Sequence, residues 1–361
     1  MTRSVDLFQP GDGPEVPAAT IGDGRGRPGY VDEGSIVRPS RQVLADCVRA
    51  ATLAPSLHNS QPWRFRIDEP VTDVYADQVR RLQVIDPMGR EQLISVGAAV
   101  FTLRLAIRQA GYRSELALFP EPGRPDLVAR VTAAQPASSN PAVEALFAAI
   151  PHRHTNRWPF AQTAIPADAL GHLAEAARRE GATLTVAGAT ARDAILGLAQ
   201  EADRRLHELP GYQQELARWT GAVRGDGVPS RAAGPWDALE SMPVRDFGEL
   251  SGMPRRSEKF EPYPTLLVLA THSDEPADWV RAGQALQRAL LTATWLNLAT
   301  TPISQPVEVP AVRQVLAAPE AGRFAQMVLR VGYGRRVAAA SPRRALSEVL
   351  GPAPRPQTQP R

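Results

Sequence analysis

Cysteine is all but absent from this chain: Cys47 is the only one among 361 residues. A single thiol closes no intrachain disulfide and builds no thiolate metal cluster, which suits a reducing compartment. Lysine is equally scarce. Of 41 basic residues, Lys259 is the only lysine. Any anion site must therefore be made of guanidinium, which stays charged and grips phosphate through two parallel hydrogen bonds. The arginines are interleaved with 38 acidic residues to a net charge of +3, without the basic stripe that nucleic-acid binding requires. No window approaches the roughly 20 apolar residues of a membrane-spanning helix. No charged start leads into an apolar stretch of the kind that marks a secretory signal. The expected location is the cytoplasm, with no membrane and no nucleic-acid partner. Also missing are a carboxylate pair, a nucleophile elbow, a P-loop and the glycine fingerprint of a dinucleotide fold. The stretch 22–26 is glycine-rich, but no strand precedes it and no helix follows, so a flexible tail is the simpler reading.

What is present suffices for a packed core: 43% hydrophobic and 22% charged residues is an ordinary globular composition. Residues 1–37, rich in Gly, Pro and Asp, read as a mostly disordered arm, and 351–361 as a Pro-rich disordered tail. Between them lie two similar halves, 38–150 and 151–350. The first opens with a helix after Ser40, a suitable N-cap, carrying Val43, Leu44, Cys47, Val48 and Ala51 at helical spacing. Strands are expected at 63–67, 71–75 and 82–85. A helix apolar on nearly every face follows at 91–110 and stops at Gly111, then strands at 115–119 and 126–133. The second half has a helix at 167–179, a strand at 183–186, a helix from 191, a strand at 265–270, a long apolar helix at 279–299 and a strand at 324–331. Strand, central helix, strand, strand thus occurs twice, the mark of an internal duplication. Each central helix has more apolar surface than one sheet can cover, so the halves are expected to pack helix against helix. The segment 205–262 interrupts the second half without a sustained period and suits either a lid or an ordered surface excursion.

Two short stretches concentrate polar chemistry. In 54–65 (APSLHNSQPWRF), Pro55 stops the preceding helix, Pro62 prevents its restart and Trp63 opens a strand. Between the prolines stand Ser56, His58, Asn59, Ser60 and Gln61. That density of amides and hydroxyls suits a ligand with many hydrogen-bonding edges, and equally a capped helix-to-strand turn. In 152–160 (HRHTNRWPF), Arg153, Thr155 and Arg157 alternate and so share one side of an extended segment. Two guanidinium groups flanking a hydroxyl make a phosphate clamp, although a solvated basic linker has the same composition. His152 and His154 lack the H-E-x-x-H pattern and a cysteine partner, so no metal is expected.

The first stretch resembles the A-P-S-x-x-N-x-Q-P-W-x-F segment that follows the first helix in the nitroreductase superfamily. The resemblance implies that Ser56, Asn59 and Gln61 contact the isoalloxazine ring and ribityl chain of a flavin mononucleotide (FMN). In that family the FMN is held mainly by the partner subunit. His58, in the same loop, is the candidate for proton transfer. The second stretch resembles the family's R-x-S-x-R motif, which implies that Arg153, Thr155 and Arg157 bind the FMN phosphate. Thr155 keeps the hydroxyl of the usual serine. The ring motif lies only in the first half and the phosphate motif only in the second, while 37–41 matches the phosphate pattern poorly. This distribution is similar to the Acg-like branch. It implies an α+β nitroreductase-like fold, a fused intramolecular pseudo-dimer with one FMN over 40–350, and a monomer in solution. Pro302, Ile303, Ser304 and Gln305 stand where the family has a P-[IM]-x-G turn on flavin N5, and Gln305 gives up the positive φ that glycine allows. Arg343, and after it Arg335, match the family's C-terminal basic residue on the phosphate. The implied activity is hydride transfer from transiently bound NAD(P)H through FMN to a small electron-poor or quinone-like acceptor. Two alternatives stay open: an FMN-sequestering protein lidded by 205–262, and a flavoenzyme that dehydrogenates a natural-product intermediate.

Overall fold

The computed structural model describes residues 38–138, 140–221, 225–239, 241–245, 247, 256–316, 322–335 and 341–351. The expected arm 1–37 and all of the expected tail except Gly351 lie outside the described residues. The chain opens with α1 (Arg41–Ala51), capped as expected by the Ser40 hydroxyl. Next come strands β1 (Trp63–Asp68) and β2 (Val71–Ala76), helix α2 (Arg90–Gln109), and strands β3 (Tyr112–Leu118) and β4 (Leu127–Pro136). Helix α3 (Pro141–Ala149), short strand β5 (Phe160–Ala161), α4 (Ala167–Arg178), β6 (Thr183–Val186), α5 (Ala189–Glu208) and α6 (Tyr212–Arg218) follow. Strands β7 (Trp236–Asp237), β8 (Ser257–Glu258) and β9 (Thr265–Thr271) lead into α7 (Pro276–Trp295). The chain ends with β10 (Ala299–Ile303), α8 (Gln305–Glu308), α9 (Pro310–Leu316), β11 (Phe324–Gly334) and α10 (Leu346–Val349).

The two principal sheets are wired alike. The first runs β1-β2-β4-β3 and the second β6-β9-β11-β10, and every neighbouring pair on these paths is antiparallel. In each, α2 or α7 enters between the second and third strands in chain order. One core lies between α1, α2 and the first sheet, and a second between α4, α7 and the second sheet. Each central helix also lends a residue to the other core, Ile94 of α2 and Val280 of α7. This exchange requires the helices to touch. They do so at Gly97 and Gly283: a methyl group on Gly97 would run into the Val280 carbonyl and one on Gly283 into the Ile94 carbonyl, each well under 3.0 Å. Glycine removes the side chain that normally holds helix axes 8–10 Å apart. Among the described residues no helix is long and apolar enough to cross a membrane.

The chain end crosses back. Leu346, Val349 and Leu350 pack into the first core, and Gly351 donates its N–H to the Phe65 carbonyl. The segment before α10 is thereby drawn across the loop that follows α1.

Several expectations give way. Residues 82–85 form a turn rather than a strand, because the Val84 and Ile85 N–H groups donate at 3.1 and 2.9 Å to the Glu215 carboxylate of α6 instead of to a neighbouring strand. The second central helix starts earlier than 279, with Pro276 at its first turn behind a Glu275/Asp278 capping box. It also stops short of 299, where Asn297 turns left-handed with φ 57° and frees 299–303 to pair with β11. Helix α3, started by the Asn140 side chain, was not foreseen. Helix α5 runs past 205, and α6 gives the interrupting segment regular structure of its own.

Gly283→Ala should destabilise the fold by roughly 1–3 kcal/mol or more. Gly171→Ala, on an exposed face of α4 with nothing within 4 Å, should stabilise it by up to about 1 kcal/mol. Denaturant midpoints measure both, and a neutral Gly283→Ala would contradict the close crossing.

Candidate functional site

The loop between α1 and β1 is strained and tied down on every side. His58, Asn59 and Gln61 have φ of 48°, 55° and 49°, a left-handed backbone that costs a non-glycine residue roughly 1–2 kcal/mol. Its bonds hold it there. The Gln61 N–H donates to the Ser56 hydroxyl at 2.9 Å, and the Leu57 N–H to the Ser95 hydroxyl of α2 at 3.1 Å. The Asn59 amide donates to the carbonyls of Gly227 (2.9 Å) and Pro342 (3.0 Å). The Gln61 amide donates to the Gly225 carbonyl at 2.8 Å and accepts from the Arg344 N–H at 2.9 Å. The loop is thus stitched both to the 205–262 segment and to the returning chain end. Such over-determined strain marks a place where geometry serves a function.

One side of this loop is cationic. Arg153 follows α3 and is 6% exposed, and among the described residues its guanidinium has neither a hydrogen-bond nor a carboxylate partner. Burial, with Arg343 close by, pushes it down to about 9. Arg343 reaches the Asn59 side-chain oxygen and the carbonyls of Leu53 and Ala54 at 3.0–3.3 Å, and burial lowers it to about 10. Thr155 forms a bridge to Thr300. Arg157 donates to the Ala232 carbonyl at 2.8 Å and lies 4.8 Å over the Phe247 ring. These groups and Arg231 line one cavity. Burial and the neighbouring Arg153 and Arg343 hold His154 below the usual histidine range, so it adds no charge near neutrality.

The other side is mostly apolar. A second cavity is walled by Ile94 and Ala98 of α2, Leu286 and Leu290 of α7, and Met242 and Phe247 of the 205–262 segment. The two cavities share Pro55, Ser56, His58, Thr155 and Arg157 as walls, so they form one bent cleft with a cationic end and an apolar end. Pro302, Ile303, Ser304 and Gln305 border the apolar end. Gln305 heads α8 and donates to the Pro243 carbonyl at 3.1 Å. It is not among the residues of positive φ, in keeping with the loss of glycine there.

Of the residues singled out from sequence, Ser56, His58, Thr155 and Arg157 meet at the bend. Asn59, Arg153 and Arg343 stand at the cationic end, and residues 302–305 at the apolar end. Gln61 borders neither cavity: fully buried, it locks the loop to Gly225 and Arg344. Asn59 spends its amide on two carbonyls and its oxygen on Arg343, so it positions that arginine. Arg335 is stacked 4.0 Å over Trp158, a wall of the cationic cavity, and is not itself one of that cavity's walls.

Three polar groups of the apolar end carry unusual electrostatics, and two of them had no signal in the sequence. His58 is 6% exposed, meets the Phe247 ring edge-on at 5.2 Å, and has no partner for either ring nitrogen among the described residues. Burial, then Arg245 and Arg157, hold it well below the histidine range, so it is neutral. Arg245 is buried and ion-paired with Glu308. Glu91, in the first turn of α2, is 3% exposed, and burial followed by Glu308 and Asp86 raises it well above the carboxylate range. Arg245 sits in a segment without periodicity, and Glu91 reads as a routine helix-start acid until the fold brings Glu308 beside it.

The Nitroreductase family's sequence model matches residues 150–333. A Mycobacterium tuberculosis protein named "Putative NAD(P)H nitroreductase" is 32% identical over 323 residues, covering 86% of this chain and 92% of its own. A second from that organism, with the same name and the gene label acg, is 33% identical over 324 residues, covering 85% and 95%. Among solved structures, the FMN- and NADPH-dependent nitroreductase NfnB from sphigopyxis sp. strain HMH overlaps 58% of this chain and 99% of its own at 18% identity. Its TM-score is 0.35, and no argument is built on that overlap.

Arg153→Met should make the ligand-free protein more stable by roughly 1–3 kcal/mol, the cost of a buried polar group left unpaired. It should also abolish stabilisation by added inorganic phosphate. Thermal unfolding with and without phosphate checks both, and a destabilised, phosphate-responsive variant would contradict the assignment.

Proposed function

The chain belongs to the nitroreductase family, and on that footing we propose that it binds one FMN and passes reducing equivalents from NAD(P)H to a small electron-poor or quinone-like acceptor. One observation carries this reading: Arg153, a buried cation without a counter-charge among the described residues, lies on a cavity that adjoins, across Thr155 and Arg157, a second, mostly apolar one. An uncompensated buried charge is expensive. A phosphate group would compensate Arg153 and reach Arg343, Arg157 and the Thr155 hydroxyl, leaving a planar ring system to the apolar end. FMN, when bound, supplies the hydride chemistry. The chain's own residues hold and screen it. Ile94, Ala98, Leu286 and Leu290 exclude water, and the left-handed loop fixes Ser56 and His58 at the bend. Arg245 places positive charge beside the apolar end.

A single FMN per chain follows from reading the two halves as a fused pseudo-dimer, supported by the identical wiring of the two sheets. Aligning Gly97 with Gly283 pairs Ala98 with Gln284 and Leu290 with Arg104. Where the cleft has small or apolar walls, the corresponding place on the other side carries Arg104 donating to Gln284 and to Glu180, both at 2.7 Å. That place is lined by Arg104, Arg108, Glu180 and Arg288 and so lacks the mostly apolar wall that the ring would need. A second reading, sequestration of FMN without turnover, is favoured by the wall that Met242–Arg245 and Phe247 raise over the apolar end.

Anaerobic addition of NADPH or NADH separates the two. Rapid bleaching of the bound flavin is the expected result; persistent colour lost only to dithionite would support sequestration, and a protein that takes up no FMN would remove both. Arg157→Ala should weaken FMN about 10- to 100-fold, the worth of one charged hydrogen bond, as read by fluorescence titration.

A further inference from the structure

Glu91 is a carboxyl group with a free oxygen on the wall of the apolar end of the cleft. Oε1 accepts from Arg90 at 2.7 Å. Oε2 is buried and has no partner among the described residues. The charged groups around it come from four places: Arg90 beside it, Asp86 from the turn before α2, Glu308 from α8 and Arg245 from the 205–262 segment. Asp86 accepts the Gln92 N–H at 2.7 Å, and Glu308 is bonded to Arg245. Three carboxyls therefore face two guanidiniums, and one retained proton balances the cluster. Of the three, only Glu91 lines the cleft.

We propose that Glu91 is the proton donor that completes reduction of the acceptor, an inference that rests on the function proposed above. The reductant is the nicotinamide, whose two electrons and one hydrogen reach the acceptor as a hydride equivalent by way of the flavin. A quinone-type acceptor that gains hydride is left with negative charge on oxygen. The O–H bond of Glu91 breaks, an O–H bond forms on that oxygen, and Glu91 is left as carboxylate. Water entering as product leaves returns one proton to Glu91. The sum is NAD(P)H, quinone and one solvent proton giving NAD(P)⁺ and hydroquinone. His58 also stands on this wall, but burial, then Arg245 and Arg157, oppose its imidazolium form, which leaves it with little acid to offer. The raised affinity of Glu91 for its proton suits the donor role, because a general acid works best when still protonated at the working pH. The sign is fixed by the direction of the shift. Donation is available below the raised value and is lost as pH climbs through it. Folded-state stability declines as pH rises from the ordinary carboxylate range to the raised value, because the unfolded chain ionises first, and it levels off above.

Stopped-flow measurement of the two half-reactions tests the proposal. Glu91→Gln keeps the shape of the neutral acid without its proton. Bleaching by NADPH should stay within about twofold of wild type. Reoxidation of protein reduced with stoichiometric dithionite, mixed with a benzoquinone, should slow about 100-fold or more and lose its fall at high pH. Glu91→Asp should recover part of the rate. In the FMN-free protein, infrared spectroscopy should show a protonated carboxyl band at neutral pH that is absent from Glu91→Gln. Reoxidation of Glu91→Gln at the wild-type rate, or no such band in wild type, would overturn the proposal. Failure of NADPH to bleach wild type would instead count against the proposed function, since the dithionite and infrared arms do not depend on it.

Discussion

The contact of Gly97 with Gly283 is the constraint from which the rest of the structure follows. It lets the backbones of α2 and α7 touch, so each helix serves two cores at once and the two sheets are held at a fixed separation. The cleft runs along that seam. Its apolar end takes Ile94 and Ala98 from one helix and Leu286 and Leu290 from the other, and neither half would form it alone. A larger residue at the crossing would push the helices apart and open that wall, because packed interiors do not absorb such a shift locally.

Along this seam the electrostatics change character over a short distance. At the cationic end neither the buried Arg153 nor the half-buried Arg343 has a carboxylate partner among the described residues, and each is held less basic than a free guanidinium. At the apolar end His58 and Glu91 are both neutral, first because burial disfavours their charged forms, then because arginines oppose the charge of His58 and carboxyls that of Glu91. Cation at one end and neutral donors at the other fit a ligand with an anionic tail and an uncharged ring. Arg245 links the two behaviours, since it is ion-paired with Glu308 and also lies close enough to His58 to disfavour its protonation. Burial sharpens every one of these effects, as a low-dielectric surrounding strengthens charge–charge interactions.

Much of this was legible in the sequence because it was written in local signals. The two apolar helices, the proline-bounded loop of Ser56 to Gln61 and the alternation of Arg153, Thr155 and Arg157 each declare themselves within a short window. What was not legible depended on partners far along the chain. The turn at 82–85 reads as a strand until Glu215 takes its N–H groups. Gln61 reads as a ligand contact until Gly225 and Arg344 occupy its amide. The end of α7 was misplaced because Leu296 and Leu298 carry the apolar spacing past it, and the left-handed turn at Asn297 separates it from β10. Glu91 shows the same limit most clearly: its proton affinity is raised by burial, then by Glu308 and Asp86, and only the fold supplies all three.

The central claim is that one cleft, shared by both halves, holds one ligand with its anionic end at Arg153 and its ring at the α2–α7 seam. Titration of the FMN-free protein with FMN, followed by quenching of flavin fluorescence, tests it most directly. The account predicts saturation at one FMN per chain. Saturation at two per chain, or no quenching at all, would contradict it.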